Sequence, residues 1–222
     1  IKRSYRQALR RLIAAGAYEP DRPRVILERA DRRYRAWKPR PLPSANAVTV
    51  YIMDVSGSMG ADQKEIVRTE SFWIDAWISS HYEGTRAVYI VHDAAAKDVD
   101  RDTLFRIRES GGTVISTAYE LADRIIRERV PVEEWNLYLF HFTDGEIYSR
   151  QDTDKCMELL ESKLLPSLNL FGYGQVESYG TSGDFYDHLK QRFPNEERVA
   201  LSHVADRDAI VNSIRILLGR GK

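Results

Sequence analysis

Ala47-Val48-Thr49-Val50-Tyr51-Ile52-Met53-Asp54-Val55-Ser56-Gly57-Ser58-Met59 joins an uncharged, largely β-branched run to an acid and two hydroxyls. The first seven residues predict a buried strand. Asp54, Ser56 and Ser58 then fall at alternate positions, so the strand end presents three small oxygen donors close together. Oxygen-only ligation of this kind suits a hard divalent cation such as Mg²⁺. Two further pieces lie downstream. Gly111-Gly112-Thr113 reads as a loop, and Phe142-Thr143-Asp144-Gly145 ends a second apolar run, Leu137 to Phe142. Asp54, Ser56, Ser58, Thr113 and Asp144 together make a candidate metal site, of the sort that binds a partner rather than turning over a substrate.

The same residues admit plainer roles: Ser56 and Ser58 as caps of the following helix, and Asp144-Gly145 as an ordinary turn. Three enzyme patterns are excluded. A haloacid-dehalogenase-type phosphatase needs a second carboxylate two residues after its first, where this chain has Ser56. A nucleophile elbow needs Gly two residues either side of its Ser, and Ser58 has Ser56 before it. No G-x-x-x-x-G-K-[ST] phosphate loop is present.

With 222 residues, of which 43% are hydrophobic, the chain can bury one sizeable core. No apolar run approaches the roughly 18–20 residues that span a bilayer, so no membrane contact is expected. The chain starts at Ile1 with a basic stretch unlike a signal peptide, and the missing initiator Met suggests a processed chain or a fragment. Cytosol is the expected compartment. Cys156 is the single cysteine, which excludes an intrachain disulfide and a zinc ribbon and predicts a small apolar filler.

A net charge of zero hides an asymmetry. Residues 1–43 carry 13 Lys or Arg against 4 acids, leaving 20 basic and 29 acidic residues in the remainder. A basic arm can bind nucleic acid, an acidic surface or its own acidic domain. Tyr5, Tyr18, Tyr34 and Trp37 are scattered through it without a stacking motif, so nucleic acid is the weaker expectation.

Periodicity predicts a helix over Ser4 to Ala17, a second from about Val25 to Trp37, then a linker at Pro39, Pro41 and Pro43. Residues 1–44 thus form a basic helical extension and residues 45–222 the main domain. There, strands are expected over Val48 to Val55, Thr85 to Val91, Leu137 to Phe142, Ser167 to Tyr173 and Arg198 to Val204, with a short edge strand over Ala95 to Val99. Helices are expected over Ala61 to Ser80, Asp102 to Arg108, Ile115 to Arg129, Asp152 to Leu164, Asp184 to Phe193 and Asp206 to Leu218. In the first of these, Ile66, Phe72, Trp73, Ala76 and Trp77 are taken as the apolar side. The alternation predicts an α/β fold with a mostly parallel sheet and helices on both faces, where ligands bind at the carboxyl ends of strands.

His92, Asp93 and His141 offer a second chemistry, a metal-assisted hydrolase group, although a strand histidine in an α/β core is commonly structural. His81, His188 and His203 lack evident companions. Gly172 to Gly183 reads as a glycine- and tyrosine-rich loop after a strand, either plain surface or a recognition loop.

The five candidate ligands, in chain order and strand context, resemble the metal-ion-dependent adhesion site of von Willebrand factor A domains, which implies a Rossmann-like fold. Tyr5-Arg6-Gln7-Ala8-Leu9, Tyr34-Arg35-Ala36-Trp37, Tyr51 to Met59, Gly111-Gly112-Thr113, and Trp135-Asn136 before Phe140-His141-Phe142 resemble the YeaH/YhbH family of bacterial stress- and sporulation-associated proteins. The resemblance covers nearly the whole chain and suggests the carboxy-terminal portion of such a protein. It implies no established activity. It does imply Mg²⁺, with Mn²⁺ or Ca²⁺ as alternatives, held by Ser56, Ser58 and Thr113, with Asp54 and Asp144 acting mostly through water. It implies a partner Asp or Glu as last ligand, coupled to movement of the last helix, and a PrkA-type kinase or SpoVR-type protein as partner. Gly57, Met59, Gly112 and Glu146 border the site as candidate partner contacts. Glu146 and Asp62 either stay in solvent or compete for the open position.

Overall fold

Alternate residues of a strand face opposite sides of its sheet, and both sides of the first strand here are apolar. That double burial is what a parallel sheet covered on both faces requires. The computed structural model describes residues 2–31, 46–107, 111–147, 149–177 and 183–219. The chain divides into two compact units, Ile1–Pro43 and Ser44–Lys222.

In the first unit, helix α1 (Lys2–Ala14) is followed by a 3-10 turn, Arg29–Asp31. Arg11 of α1 ties the two together: it donates to the Asp31 carboxylate at 2.9 Å and pairs with Glu28 at 2.8 Å. The helix expected from Val25 does not form over residues 25–28, which have no helical structure. Tyr34 to Trp37 and the three linker prolines lie outside the described residues.

The second unit holds β1 (Asn46–Asp54), α2 (Ala61–His81), β2 (Gly84–His92), β3 (Ala96–Val99), α3 (Arg101–Arg106), α4 (Ile115–Arg129), β4 (Trp135–Thr143), α5 (Arg150–Leu159), β5 (Leu170–Val176), α6 (Phe185–Arg192), β6 (Val199–Val204) and α7 (Ile210–Gly219). Sheet order is β3-β2-β1-β4-β5-β6. Every pairing is parallel except that of the edge strand β3. The chain runs outward from β1 through β2 and β3, then returns to β4 on the other side of β1. The switch point therefore lies between β1 and β4, where open α/β sheets place ligands.

Val48, Val50 and Ile52 of β1 pack with Leu137 and Leu139 of β4 under α4 and α5. Tyr51 and Met53 pack with Phe140 and Phe142 under α2 and α7. Gly172 and Gly174 belong to β5, not to a loop. A Cβ on them would come within 2.5 Å and 2.6 Å of the Phe140 and Phe142 rings, so glycine is what admits those rings. The strand expected over Ser167 to Tyr173 therefore lies three residues later, at Leu170–Val176. Residues 178–182 of the expected loop lie outside the described residues. Leu160–Leu164 continues α5 as a π-helical segment, and α7 begins at Ile210, after a turn built on the Asp206 carboxylate.

The buried face of α2 also differs from expectation. Ile66, Val67, Glu70, Ser71, Ile74 and Ile78 point inward, while Phe72, Trp73, Ala76 and Trp77 are exposed. An inward Glu70 at the centre of the helical stripe breaks the apolar pattern, so in sequence the aromatic side resembles the inner one. Its carboxyl has no hydrogen-bond partner for either oxygen. Burial pushes its pKa up to about 7.

A carboxyl whose pKa is raised on folding binds its proton more tightly in the folded state, so its contribution is intact at low pH and is lost as pH rises toward about 7. Glu70→Gln should be more stable than the parent at pH 8 by up to about 3 kcal/mol, with little difference at pH 4.5. Urea unfolding at the two pH values checks this. An identical pH dependence in both chains contradicts it.

Candidate functional site

Parallel pairing of Met53 with Phe142 sets the ends of β1 and β4 side by side. Asp54 is completely buried there, and both of its oxygens are engaged. The Ser56 amide donates to Oδ1 at 2.8 Å, and the Thr143 hydroxyl donates to Oδ2 at 2.6 Å. The first bond folds residues 54–56 into a tight turn that aims the next hydroxyls back toward the strand end. Ser56 Oγ and Ser58 Oγ share a hydrogen bond of 3.2 Å. Neither serine caps α2, whose N-cap is Gly60 without a side-chain bond.

Asp144 follows directly on β4. Its Oδ1 accepts from the Glu146 amide at 3.1 Å, and Ser58 also hydrogen-bonds its carboxyl. Its Oδ2 is buried without a partner. Burial pushes the Asp144 pKa up, the Ser58 and Glu146 bonds pull it down, and the negative charges of Asp54 and Glu146 raise it again. Gly145 next to it has φ +80°, which leads the chain sharply out of the site. Gln175 of β5 lies against Gly145 and donates to the Gly183 carbonyl at 2.9 Å, pinning the two loops together.

Thr113 arrives on the third loop. The Gly57 amide donates to the Gly111 carbonyl at 3.3 Å, and the Val114 amide donates to the Asp93 carbonyl at 2.9 Å. Asp152, in the first turn of α5, accepts from the Ile115 and Ser116 amides at 2.9 and 3.2 Å and so fixes the start of α4 immediately after Thr113. The Thr113 hydroxyl is buried and has no partner.

Gly57 and Gly112 are exposed beside these groups, and Glu146 is half-buried. Met59 is a correction: its side chain is 2% exposed and packs in the α2-side core, so it anchors the loop from below and is not a surface contact. Asp62 stands in solvent and pairs with Arg207. Among the described residues no group of three or more His, Cys, Asp or Glu is placed to hold a metal. The donor set is instead two carboxylates and three hydroxyls. It fits a hard cation on one observation: Thr113 Oγ1 and Asp144 Oδ2 are desolvated oxygens with nothing bound to them, a state that costs about 1–3 kcal/mol each.

His92 and His141 approach each other rather than the surface. Both are completely buried, with their Nε2 atoms 3.0 Å apart, and the Tyr119 hydroxyl meets His141 Nδ1 at 3.0 Å. Burial lowers both pKa values, which keeps the rings neutral. The Asp93 carboxylate is turned to the Ala95 amide. Thr143 is signalled only by its place next to Asp144. Asp152 and Gln175 carry no site role that their place in the sequence predicts; theirs depends on the packing of separate elements.

The profile of the family described as Protein of unknown function (DUF444) matches residues 1–221, and the chain belongs to that family. A UPF0229 protein of Mesorhizobium japonicum is 41% identical over 172 residues, which are 77% of this chain and 38% of that one. The matched residues cover 38% and 40% of the length of two curated relatives, so the chain spans about half of each. Among solved structures, BatB from Bacteroides thetaiotaomicron superposes with a TM-score of 0.54 at 14% identity, covering 78% of this chain and 98% of that one. The manganese-loaded TRAP protein of Plasmodium vivax gives 0.53 at 14% identity, covering 78% and 73%. These likenesses are of fold, and the fold is of the von Willebrand A type. Among the described residues no helix is long and apolar enough to cross a membrane.

Asp152→Ala frees two amides at the start of α4 and should cost about 1–2 kcal/mol of stability, measured by urea unfolding. A loss below about 0.3 kcal/mol would contradict its role in fixing the Thr113 loop.

Proposed function

We propose that this member of the DUF444 family is a metal-dependent protein-interaction module, which captures an Asp or Glu of a partner protein through a divalent cation at the β1–β4 switch point. One observation carries the reading: Thr113 Oγ1 and Asp144 Oδ2 are buried, unpartnered oxygens on loops that flank Ser56 and Ser58. The manganese-loaded TRAP protein, of like fold, lends support.

Ser56, Ser58 and Thr113 supply neutral donors, and Asp54 and Asp144 supply the negative charge. Bound there, Mg²⁺ or Mn²⁺ supplies an electrophilic position to which a carboxylate can bind, because three of five protein donors leave its charge undiminished. Asp54 is held by Ser56 N–H and Thr143 O–H, which fixes its carboxylate in place before any ligand arrives. Gly57 and Gly112 leave the rim open to a partner. The PrkA-type kinase and SpoVR-type protein implied by the family resemblance are the first partners to test. Stress response and sporulation are the settings that go with them.

Calorimetric titration of Mg²⁺ and Mn²⁺ into chelator-stripped protein should give one site, with Asp54→Ala reducing affinity at least tenfold. Capture of the partner should require metal and be lost in Asp144→Ala while the chain stays folded. Capture unchanged in chelator, or in both variants, would defeat the reading.

A further inference from the structure

We infer that Gln175 is a positioning residue of the candidate metal site: its side-chain amide grips Gly145 and thereby sets where the Asp144 and Asp54 carboxylates stand relative to one another. The inference rests on the metal-site reading above.

Gln175 is buried near the end of β5, where it pairs in register with Thr143 of β4. Paired residues of neighbouring strands turn their side chains to the same face, so Gln175 stands beside Thr143, one residue short of Asp144. Its amide is held at both ends. The Tyr173 hydroxyl donates to Oε1 at 3.1 Å, and Nε2 donates to the Gly183 carbonyl at 2.9 Å. A carbonyl only accepts, so the amide nitrogen must face Gly183, and a carboxylate could not take its place. Held this way, the amide lies against Gly145. A Cβ on Gly145 would meet Gln175 Cδ at 2.6 Å and collide with Oε1. Gly183 closes on the same residue, since a Cβ there would run into the Gly145 backbone.

Gly145 is tied to both acids. It follows Asp144 directly, and at φ +80° it belongs to the turn in which the Glu146 amide donates back to Asp144 Oδ1. Its own amide donates to Thr143 Oγ1 at 3.1 Å, and that hydroxyl gives its single proton to Asp54 Oδ2 at 2.6 Å. A shift of Gly145 therefore moves Asp144 through the chain and Asp54 through Thr143. Thr113 comes from a separate loop, so the gap between its Oγ1 and Asp144 Oδ2 depends on where Gly145 is held. Mg²⁺ demands near-ideal octahedral geometry, whereas Ca²⁺ accepts looser and more variable coordination. A residue that fixes this gap acts on Mg²⁺ more than on Ca²⁺.

The test uses the whole chain, stripped with chelator and titrated with Mg²⁺ and Ca²⁺ by calorimetry, with amide hydrogen exchange read in the metal-free protein. Gln175→Met keeps the length of the side chain and removes both of its bonds; Tyr173→Phe removes the first of them. Mg²⁺ affinity should fall roughly tenfold in Gln175→Met and roughly threefold in Tyr173→Phe, with a smaller loss for Ca²⁺ in each. The Gly145 and Glu146 amides should exchange at least about tenfold faster in Gln175→Met, while the amides of β1 keep their rates. If Gln175→Met fails to fold, the affinities and exchange rates of Tyr173→Phe decide the question. Unchanged Mg²⁺ affinity, or equal losses for the two cations with faster exchange in β1 as well, overturns the positioning role. The metal site still stands in that case if the parent binds metal and Asp54→Ala does not. No metal binding by the parent, or equal binding by Asp54→Ala, overturns the metal-site reading and this inference with it.

Discussion

Asp54 and Asp144 share one pocket because β1 and β4 pair in parallel and end together. Holding two carboxylates there opposes their mutual repulsion and their loss of water, and much of the neighbouring structure answers to that cost. The Ser56 amide and Thr143 hydroxyl bind Asp54, and the Glu146 amide and Ser58 bind Asp144. What these groups leave unanswered is small and specific. One Asp144 oxygen and the Thr113 hydroxyl have no partner, and the proposed cation is the ligand we assign to them.

Rigid elements from across the unit hold the three loops. Gly57 and Gly111 join the first to the second, Asp152 fixes α4 behind Thr113, and Gln175 clamps Gly145 to Gly183. Beneath them lies an aromatic layer in which His141 touches His92, Tyr119 and Tyr173. The two imidazoles form a neutral, fully buried pair, and their place in the molecule is that of core residues with polar contacts to each other. The exposed Phe72, Trp73 and Trp77 lie on α2, away from its buried stripe.

The sheet and the helix order were legible because apolar runs in a parallel sheet are continuous and their breaks are sharp. Ile115–Arg129 was placed to the residue. The errors have physical causes. Glycines in β5 make room for Phe140 and Phe142 and so mimic a loop in the sequence. Glu70 occupies a buried position and so disguises the inner face of α2. For the site, spacing located the acids and hydroxyls, since alternate residues after a strand end lie close together. It did not distinguish the buried Met59 from a rim residue. Nor did it reveal Asp152, whose role depends on how α5 docks against the loops.

Anomalous diffraction from crystals of this chain soaked in Mn²⁺ tests the central claim most directly. The account predicts one strong peak at the β1–β4 switch point, bonded to the Ser56, Ser58 and Thr113 hydroxyls, with Asp54 and Asp144 around it. Crystals with no peak there, and with Thr113 Oγ1 and Asp144 Oδ2 bound to water alone, would contradict it.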